Sequence, residues 1–239
     1  LIVHAGDVGP AAVLAGLSAI APCFAVSGNV DDRDDPMLPR ERSLPVGGLT
    51  LHVSHGDELG SPKPDALLAF VPSGVGSQFM RQFVERGLDR SGIRLLAEGS
   101  VTDDDLINSV GDPAIGVITS HHYSAAHDSP ENRAFVEAFK RANNGSRPNF
   151  MAIGGYDGMH LIYEGLRRTN GTAGEAFVEA VKGLAWTSPR GPMSIDAQTR
   201  DVIQSVYIRR VERVGGELYN VEFETIRDVK DPIKAARPN

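Results

Sequence analysis

The chain has 239 residues, of which 41% are hydrophobic and 23% charged, enough apolar material for one large or two small globular cores. Its net charge is −7, which argues against nucleic acid as a partner because phosphate binding requires a basic face. No apolar run approaches the roughly 20 residues that a membrane span requires, so we expect none.

The first 60 residues have the pattern of a βαβ unit followed by a hairpin. Short apolar runs at residues 1–3 and 24–26 predict two strands, and the apolar spacing between them predicts a helix over residues 10–20. Two further runs, at residues 44–46 and 49–53, flank a Gly-Gly pair and predict a hairpin.

Three polar residues, Asp7, Asn29 and His55, each follow a predicted strand end. Oxygen and imidazole groups gathered at one sheet edge suit divalent metals, whereas the alternative is an ordinary role in turns. Their sequence contexts, HAGD, GN and HGDELG, resemble those of the calcineurin-like metallophosphoesterases. The resemblance implies that Asp7 bridges two metals and that Asn29 and His55 each bind one of them.

That resemblance is incomplete at both of its ends. The family's opening segment, with an Asp and a His ligand, and its closing GHTH motif do not occur in this sequence. We therefore expect residues 1–60 to form an incomplete domain with a vestigial site. Such a site would hold Mn²⁺ or Zn²⁺ weakly and would not catalyse hydrolysis, since a dinuclear centre needs ligands for both ions.

The sequence changes character near residue 60. Ser61-Pro62-Lys63-Pro64 is typical of a linker, so we predict a boundary with separate packing on each side. Beyond it, buried strands alternate with amphipathic helices, as in α/β proteins. The predicted strands lie at residues 67–71, 93–96 and 115–119, and the predicted helices at 75–88, 130–142, 149–168 and 174–184.

Two polar clusters in this part have a structural and a metal-binding interpretation. Thr102 followed by three aspartates, residues 103–105, favours the acidic start of a short helix over a metal site. His121 and His122 are adjacent and would point to opposite sides of a strand, so they cannot readily chelate one ion together with His127.

The C-terminal segment predicts a hairpin, because two β-rich runs, residues 202–211 and 218–223, meet at Gly215-Gly216. The Ser-Pro-Arg-Gly-Pro run before the hairpin excludes a helix, because its prolines interrupt helical hydrogen bonding. The chain leading into the hairpin is therefore expected to be extended and to contain a turn. The sequence of residues 63–239 resembles the C-terminal half of type 1 periplasmic binding proteins, the branched-chain amino acid-binding components of ABC importers. The resemblance is carried by the segments KPDALLAFVPSG, HHYSAAHDSP, SPRGP and LYNVEF.

The predicted fold class is therefore α/β, with a partial βαβ layer in residues 1–60 joined to a binding-protein-like sandwich in residues 63–239 that ends in a hairpin. The resemblance implies binding of a branched-chain or related amino acid without catalysis, an ABC permease as partner and a periplasmic location. We expect no signal peptide in this sequence, since it has neither a start Met nor a basic leader, and the alternative to a periplasmic location is a cytoplasmic one. The single cysteine, Cys23, does not indicate a compartment.

The same resemblance suggests which side chains would contact the ligand. Ser73 and Tyr123 would supply hydroxyl or stacking contacts, and Glu98 or Asp103 would meet the ligand's ammonium group. The family's first half, which supplies most carboxylate contacts, has no counterpart here, so we expect impaired binding. Two alternatives stay open, namely a surviving metal-dependent phosphoesterase and a non-functional chimeric join.

Overall fold

A computed structural model describes residues 1–32, 34–55, 65–71, 74–231 and 234 of the chain. The fold is α/β, as the alternation of apolar runs predicts. It divides into two compact units. Unit 1 comprises Leu1–Thr102 and Ser109–Thr119, and unit 2 comprises Asp103–Asn108 and Ser120–Asn239.

Unit 1 begins with the predicted βαβ unit. Strand β1 (Ile2–His4), helix α1 (Ala11–Ser18) and strand β2 (Cys23–Ala25) follow one another, and the two strands pair in parallel. Helix α1 contributes Val13 and Leu14 to a small core around Val8, Ala25 and Leu38. The strand–helix–strand prediction is confirmed, with the helix shorter than predicted at both ends.

The predicted hairpin follows as strands β3 (Glu41–Val46) and β4 (Leu49–Ser54), which pair antiparallel. Gly47 and Gly48 between them both have positive φ, the conformation that a two-residue hairpin turn requires and that glycine adopts without strain. The hairpin packs through Leu44 and Val53.

The sheet of unit 1 continues across the predicted boundary. Strand β4 pairs in parallel with β5 (Ala66–Ala69), and β5 pairs in parallel with β6 (Arg94–Glu98). The expectation of separate packing on either side of residues 60–64 is therefore wrong, because pairing with β5 satisfies backbone groups that β4 would otherwise leave open at an edge. The predicted linker itself lies outside the described residues.

Helix α2 (Gly76–Glu85) lies between β5 and β6 in the chain, and its start is pressed against a 3₁₀ turn at Gly99–Thr102. A Cβ atom at Gly76 would collide with the carbonyl oxygen of Ser100 and the backbone of Val101. This position therefore requires glycine for steric reasons. Strand β7 (Ile118–His121) lies next to β6.

The acidic run does not begin a helix in the predicted way. Helix α3 (Ile107–Val110) has no acidic residue in its first turn. Asp103 and Asp104 are instead buried, with 6% and 3% of their surface exposed. The acidic run precedes a short helix, as predicted, but its carboxylates do not lie in the first turn of that helix, and tertiary contacts described below hold Asp104.

Unit 2 contains three further helices, α4 (Pro130–Ala142), α5 (Phe150–Arg168) and α6 (Glu175–Val181). The Ser129 hydroxyl caps α4 by accepting a hydrogen bond from the Asn132 amide, and the Asn149 side chain caps α5. The three predicted helices are thus confirmed, with α6 shorter than predicted.

Four antiparallel strands complete unit 2: β8 (Ala185–Ser188), β9 (Gly191–Ile195), β10 (Val202–Val214) and β11 (Glu217–Val229). The long hairpin β10–β11 turns at Gly215 and Gly216, as predicted. The Ser-Pro-Arg-Gly-Pro run forms the tight β8–β9 connection. Among the described residues, no helix is both long and apolar enough to cross a membrane.

Candidate functional site

The three polar residues predicted at strand ends come together in unit 1. His55 Nε2 lies 3.0 Å from Asn29 Oδ1 and 3.5 Å from Asp7 Oδ1. His55 Nδ1 lies 2.8 Å from the carbonyl oxygen of Ala5 and donates its proton there, since that oxygen can only accept. The bond fixes the imidazole with Nε2 facing the two oxygens.

Two glycines allow these loops to approach one another. A Cβ at Gly6 would collide with the His55 ring, and a Cβ at Gly28 would collide with the backbone and carboxylate of Asp7. Gly6 also has a φ of +97°, where a larger residue would be strained. The HAGD and GN segments therefore owe their juxtaposition to glycine as much as to the polar residues themselves.

Asp31, which no sequence motif marked as important, links the loop after β1 to the loop after β2. Its carboxylate accepts hydrogen bonds from the amides of Val8 at 2.9 Å, Gly9 at 2.8 Å and Gly28 at 2.8 Å. Burial alone would raise the pKa of Asp31, but these backbone donors stabilise the charged form and hold it below its usual value.

A cavity of about 530 Å³ opens beside this polar cluster, within unit 1. Asp7, Asn29 and His55 line one end. The remaining lining comes from β4, β5, α2 and the adjoining loops: Ser54, Leu67, Leu68, Ala69, Phe70, Val71, Val75, Gln78, Phe79, Gln82, Phe83, Arg86 and Leu88. The volume falls within the range of small-molecule sites, which are largely apolar with a few polar groups.

Part of the apolar face predicted for α2 is buried in the core, and part of it lines the cavity. Met80 and Phe83 are buried, with 0% and 5% exposure, whereas Val75 is 37% exposed. The Phe79 and Phe83 rings lie 6.2 Å apart, centroid to centroid, and both line the cavity. The helical spacing therefore predicts the apolar face correctly, but that face only partly meets other protein atoms.

Unit 2 arranges its polar residues differently, around the fully buried Tyr123. The Tyr123 hydroxyl donates to Asn132 Oδ1 at 3.1 Å, and the buried Arg209 guanidinium donates to the Tyr123 carbonyl oxygen. Burial raises the pKa of Tyr123, and the charge of Asp104 adds to the effect. In this structure Tyr123 is a core residue, and its contact with a ligand stays a prediction.

Asp104 is the acid that completes this buried cluster. It accepts a hydrogen bond from Asn220 Nδ2 at 3.0 Å and lies 3.8 Å from Arg209 Nη1. Burial raises the pKa of Asp104, while the Arg209 charge acts in the opposite direction. A buried charge pair of this kind is compensated rather than reactive.

The other predicted ligand residues are scattered. Glu98 is half-buried in unit 1 and accepts a hydrogen bond from the Ser100 amide at 2.9 Å. Asp103 is buried in unit 2, and its carbonyl oxygen accepts from Leu106 and Ile107. Ser73 lies outside the described residues. Their predicted roles in ligand binding stay predictions.

The rings of the adjacent histidines of unit 2, His121 and His122, contact one another at a tilt and also contact a phenylalanine. Their ring centroids are 4.5 Å apart, and both rings meet the Phe150 ring edge-on. Burial, with the nearby Arg209 and Arg190 charges, lowers the pKa of His121 to about 2 and of His122 to about 4. In the described residues, no group of three or more His, Cys, Asp or Glu side chains could hold a metal ion.

A second buried cluster in unit 2 was not predicted from the sequence. Asp157 on α5 accepts from Arg190 Nε at 2.7 Å, from Ser188 Oγ at 3.0 Å and from Trp186 Nε1 at 3.2 Å. Tyr207 donates to the Arg190 carbonyl oxygen at 2.6 Å. The only signal available in advance was an Asp on a largely apolar helix, which cannot identify partners about 30 residues away.

Comparison with known proteins decides the family. A family model described as periplasmic binding protein matches residues 45–217. The chain belongs to the periplasmic binding protein family. A second model, the calcineurin-like phosphoesterase superfamily domain, matches residues 1–76. That match covers a minority of the chain and overlaps the first, so it does not establish a phosphoesterase.

Related binding proteins are similar over most of this chain. It is 44% identical over 170 residues to Leu/Ile/Val-binding protein homolog 6 of Brucella abortus. The aligned segment covers 70% of this chain and 44% of the relative. A solute-binding protein of an ABC transporter from Rhodopseudomonas palustris BisB5, solved with 3,4-dihydroxybenzoic acid, is 58% identical with a TM-score of 0.70. That match covers 72% of this chain and 47% of the solved chain.

Another R. palustris solute-binding protein, solved with 4-hydroxybenzoate, is 38% identical with a TM-score of 0.65. The match covers 69% of this chain and 46% of that one. This member of the binding-protein family therefore spans less than half the length of the curated and solved relatives that it matches.

Proposed function

We propose that this chain is the ligand-binding part of a solute-binding protein that serves an ABC importer, acting in the periplasm with a permease and without catalysis. The observation that carries the proposal is the 58% identity to a solved solute-binding protein over 72% of the chain. The buried polar clusters of unit 2 support a binding role, because side chains that satisfy one another form a rigid scaffold for recognition.

The ligand class is a small carboxylate with an apolar body. The names and titles of the relatives give two forms of it, a branched-chain amino acid and a hydroxylated benzoate. The two forms differ in one group: an amino acid carries an ammonium, whereas a benzoate does not. Glu98 and Asp103, the acids predicted to meet an ammonium, would matter only for the first form.

Ligand-induced stabilisation tests the proposal. Leucine, valine and 3,4-dihydroxybenzoate are each titrated against the full chain while the melting temperature is followed. At ~100-fold excess over Kd, a ligand that binds only the folded state adds about 2.7 kcal/mol to the free energy of unfolding. No stabilisation by any of the three at millimolar concentration would contradict the proposal.

Two variants distinguish the ligand forms. Glu98→Gln and Asp103→Asn keep the shape of the side chain and remove its charge. They should weaken leucine binding and leave dihydroxybenzoate binding unchanged, since only leucine presents an ammonium. Glu137→Gln, on an exposed i,i+4 pair with Arg141, is the matched control.

A second candidate function, weak binding of one divalent ion, is favoured by the convergence of Asp7, Asn29 and His55. One carboxylate, one amide oxygen and one imidazole form a donor set that suits Mn²⁺ or Zn²⁺. The other ring nitrogen of His55, Nδ1, donates a hydrogen bond to the backbone carbonyl oxygen of Ala5, as in metal-binding histidines. Three donors do not complete the coordination of two ions, so we propose no hydrolysis by this site.

The metal-binding candidate is tested by titrating Mn²⁺ and following its paramagnetic resonance signal. Binding should be lost in His55→Ala and kept in His160→Ala. Hydrolysis of bis-p-nitrophenyl phosphate with added Mn²⁺ should stay at background. Turnover that disappears in both Asp7→Ala and His55→Ala would instead support the phosphoesterase alternative.

A further inference from the structure

The cavity in unit 1 has aromatic side chains along its walls and hydrogen-bond acceptors at one end. Phe70, Phe79 and Phe83 line it, and their exposures range from 53% for Phe70 to 5% for Phe83. Phe70 thus exposes about half of its surface to solvent. Covering such surface stabilises a complex by ~25 cal/mol for each Å² removed from water.

The polar end offers acceptor oxygens. Asp7 Oδ1 and Asn29 Oδ1 lie 3.5 Å and 3.0 Å from the same His55 nitrogen, so both face one small region. The Asp7 side chain is 41% exposed and can reach a ligand in the cavity. Its position is fixed by the Val30 amide, which donates to Asp7 Oδ1 at 3.2 Å. A group bound here must therefore donate hydrogen bonds, and a positive charge strengthens them.

Among the described residues that line the cavity, Arg86 is the one Lys or Arg, and it attracts an anion only weakly. Arg86 lies just beyond the end of α2 and is exposed to solvent. An ion pair formed at an exposed guanidinium contributes little, because water and salt screen it. Asp7 and Asn29 are also exposed, but contacts with the Val30 amide and with His55 fix their oxygens in place, so they form the better-defined polar site.

The volume of the cavity limits the size of the ligand. The volume of about 530 Å³ is more than three times the ~150 Å³ of a cavity that holds benzene. Two fused rings with a short chain therefore fit. Aromatic rings prefer edge-to-face or offset contact with phenylalanine, and a cation near their faces is attracted to the ring electrons.

We propose that this cavity binds a small bicyclic aromatic amine, with its ammonium at Asp7 and Asn29 and its rings among Phe70, Phe79 and Phe83. The inference goes beyond the carboxylate-binding function and does not depend on it. The ligand has the opposite charge, and all the residues that hold it belong to unit 1.

Isothermal titration of the full chain with tryptamine tests the proposal. Indole-3-propionate, which has the same ring and chain length but ends in a carboxylate, should bind at least ~10-fold more weakly, because Asp7 repels it. 2-Cyclohexylethylamine, which keeps the ammonium and lacks aromatic rings, should bind ~2–10-fold more weakly than tryptamine.

Variants locate the site. Asp7→Asn should weaken tryptamine binding ~10-fold or more, since it removes a charged acceptor. Asparagine tolerates the φ of +55° at this position and can still accept from Val30, so the loop is preserved. Phe79→Leu should weaken binding ~2–10-fold. Asp128→Asn, which removes a carboxylate that is 94% exposed in unit 2, is the matched control and should change nothing.

Three results would overturn the inference: no heat of binding with millimolar tryptamine, equal affinity for indole-3-propionate, or unchanged affinity in Asp7→Asn. Urea unfolding of each variant confirms that it is folded before its binding is interpreted. A negative result with tryptamine would not change the expected rise in melting temperature with leucine or dihydroxybenzoate. The two proposals can therefore be tested independently.

Discussion

The two units of the chain use polar side chains in opposite ways. In unit 2, Asp157 and Asp104 are buried, and each is surrounded by donors from distant parts of the chain. In unit 1, Asp7 and His55 face a cavity, and their positions are set mainly by backbone contacts and by glycines. The difference teaches that the polar groups of unit 2 stabilise the fold, whereas those of unit 1 can meet a ligand.

The sharpest test of this comparison is Asp157→Ala. The change leaves the Arg190 guanidinium, whose side chain is 9% exposed, without its carboxylate partner. Breaking a buried pair from one side costs about 3–5 kcal/mol of the free energy of unfolding. Urea denaturation measures the loss, and Asp128→Ala on an exposed pair is the control, which should leave the stability nearly unchanged. Equal effects of the two changes would refute the distinction.

Acid should destabilise unit 2 through its two adjacent, half-buried histidines, His121 and His122. Their folded pKa values, about 2 for His121 and about 4 for His122, lie below the unfolded value of 6.5. Below pH 6.5 the unfolded chain therefore binds protons that the folded chain does not, so this stability is present above pH 6.5 and is lost as the pH falls. Between pH 7.5 and 5.5 each ring accounts for at most ~1.4 kcal/mol.

The measurement is urea denaturation of the wild type and His122→Gln at both pH values. The variant should lose less stability than the wild type, because one titrating ring is missing. An identical loss in both proteins would mean that His122 is not kept neutral by its surroundings.

Unit 1 has its own steric test in Gly76→Ala. The added Cβ would collide with backbone atoms of Ser100 and Val101, which cannot move as a flexible side chain could. We expect a loss of about 1–3 kcal/mol, measured by urea denaturation. Gly154→Ala is the matched control, because it lies within α5 and its Cβ would meet nothing within 4 Å. Alanine there should be neutral or stabilising, since it favours helix.

Tyr123→Phe should have a moderate effect on stability. It removes a hydroxyl that is fully buried and leaves Asn132 Oδ1 without its donor, at a cost of about 1–2 kcal/mol. The same variant examines the predicted ligand role of Tyr123. If the hydroxyl only supports the fold, the affinity for leucine or dihydroxybenzoate should not change, whereas a large loss of affinity would place it in contact with the ligand.

The sequence by itself determined the local elements. Apolar spacing predicted α4 and α5, and the Gly-Gly pairs located both hairpin turns, because turn geometry and helix periodicity depend on neighbouring residues. The sequence motifs also predicted that Asp7, Asn29 and His55 lie close together, as they do in unit 1. These predictions succeeded because a strand end and its following loop are encoded within a few residues.

Only the tertiary structure decided which polar groups are buried and which strands pair. Asp104 was predicted to belong to the acidic start of a helix, yet Asn220 and Arg209, more than 100 residues away, hold it in the core. The pairing of β4 with β5 likewise contradicted the boundary that the proline-rich segment predicts. Burial and strand pairing depend on distant residues meeting in space, and the composition of a short segment does not contain that information.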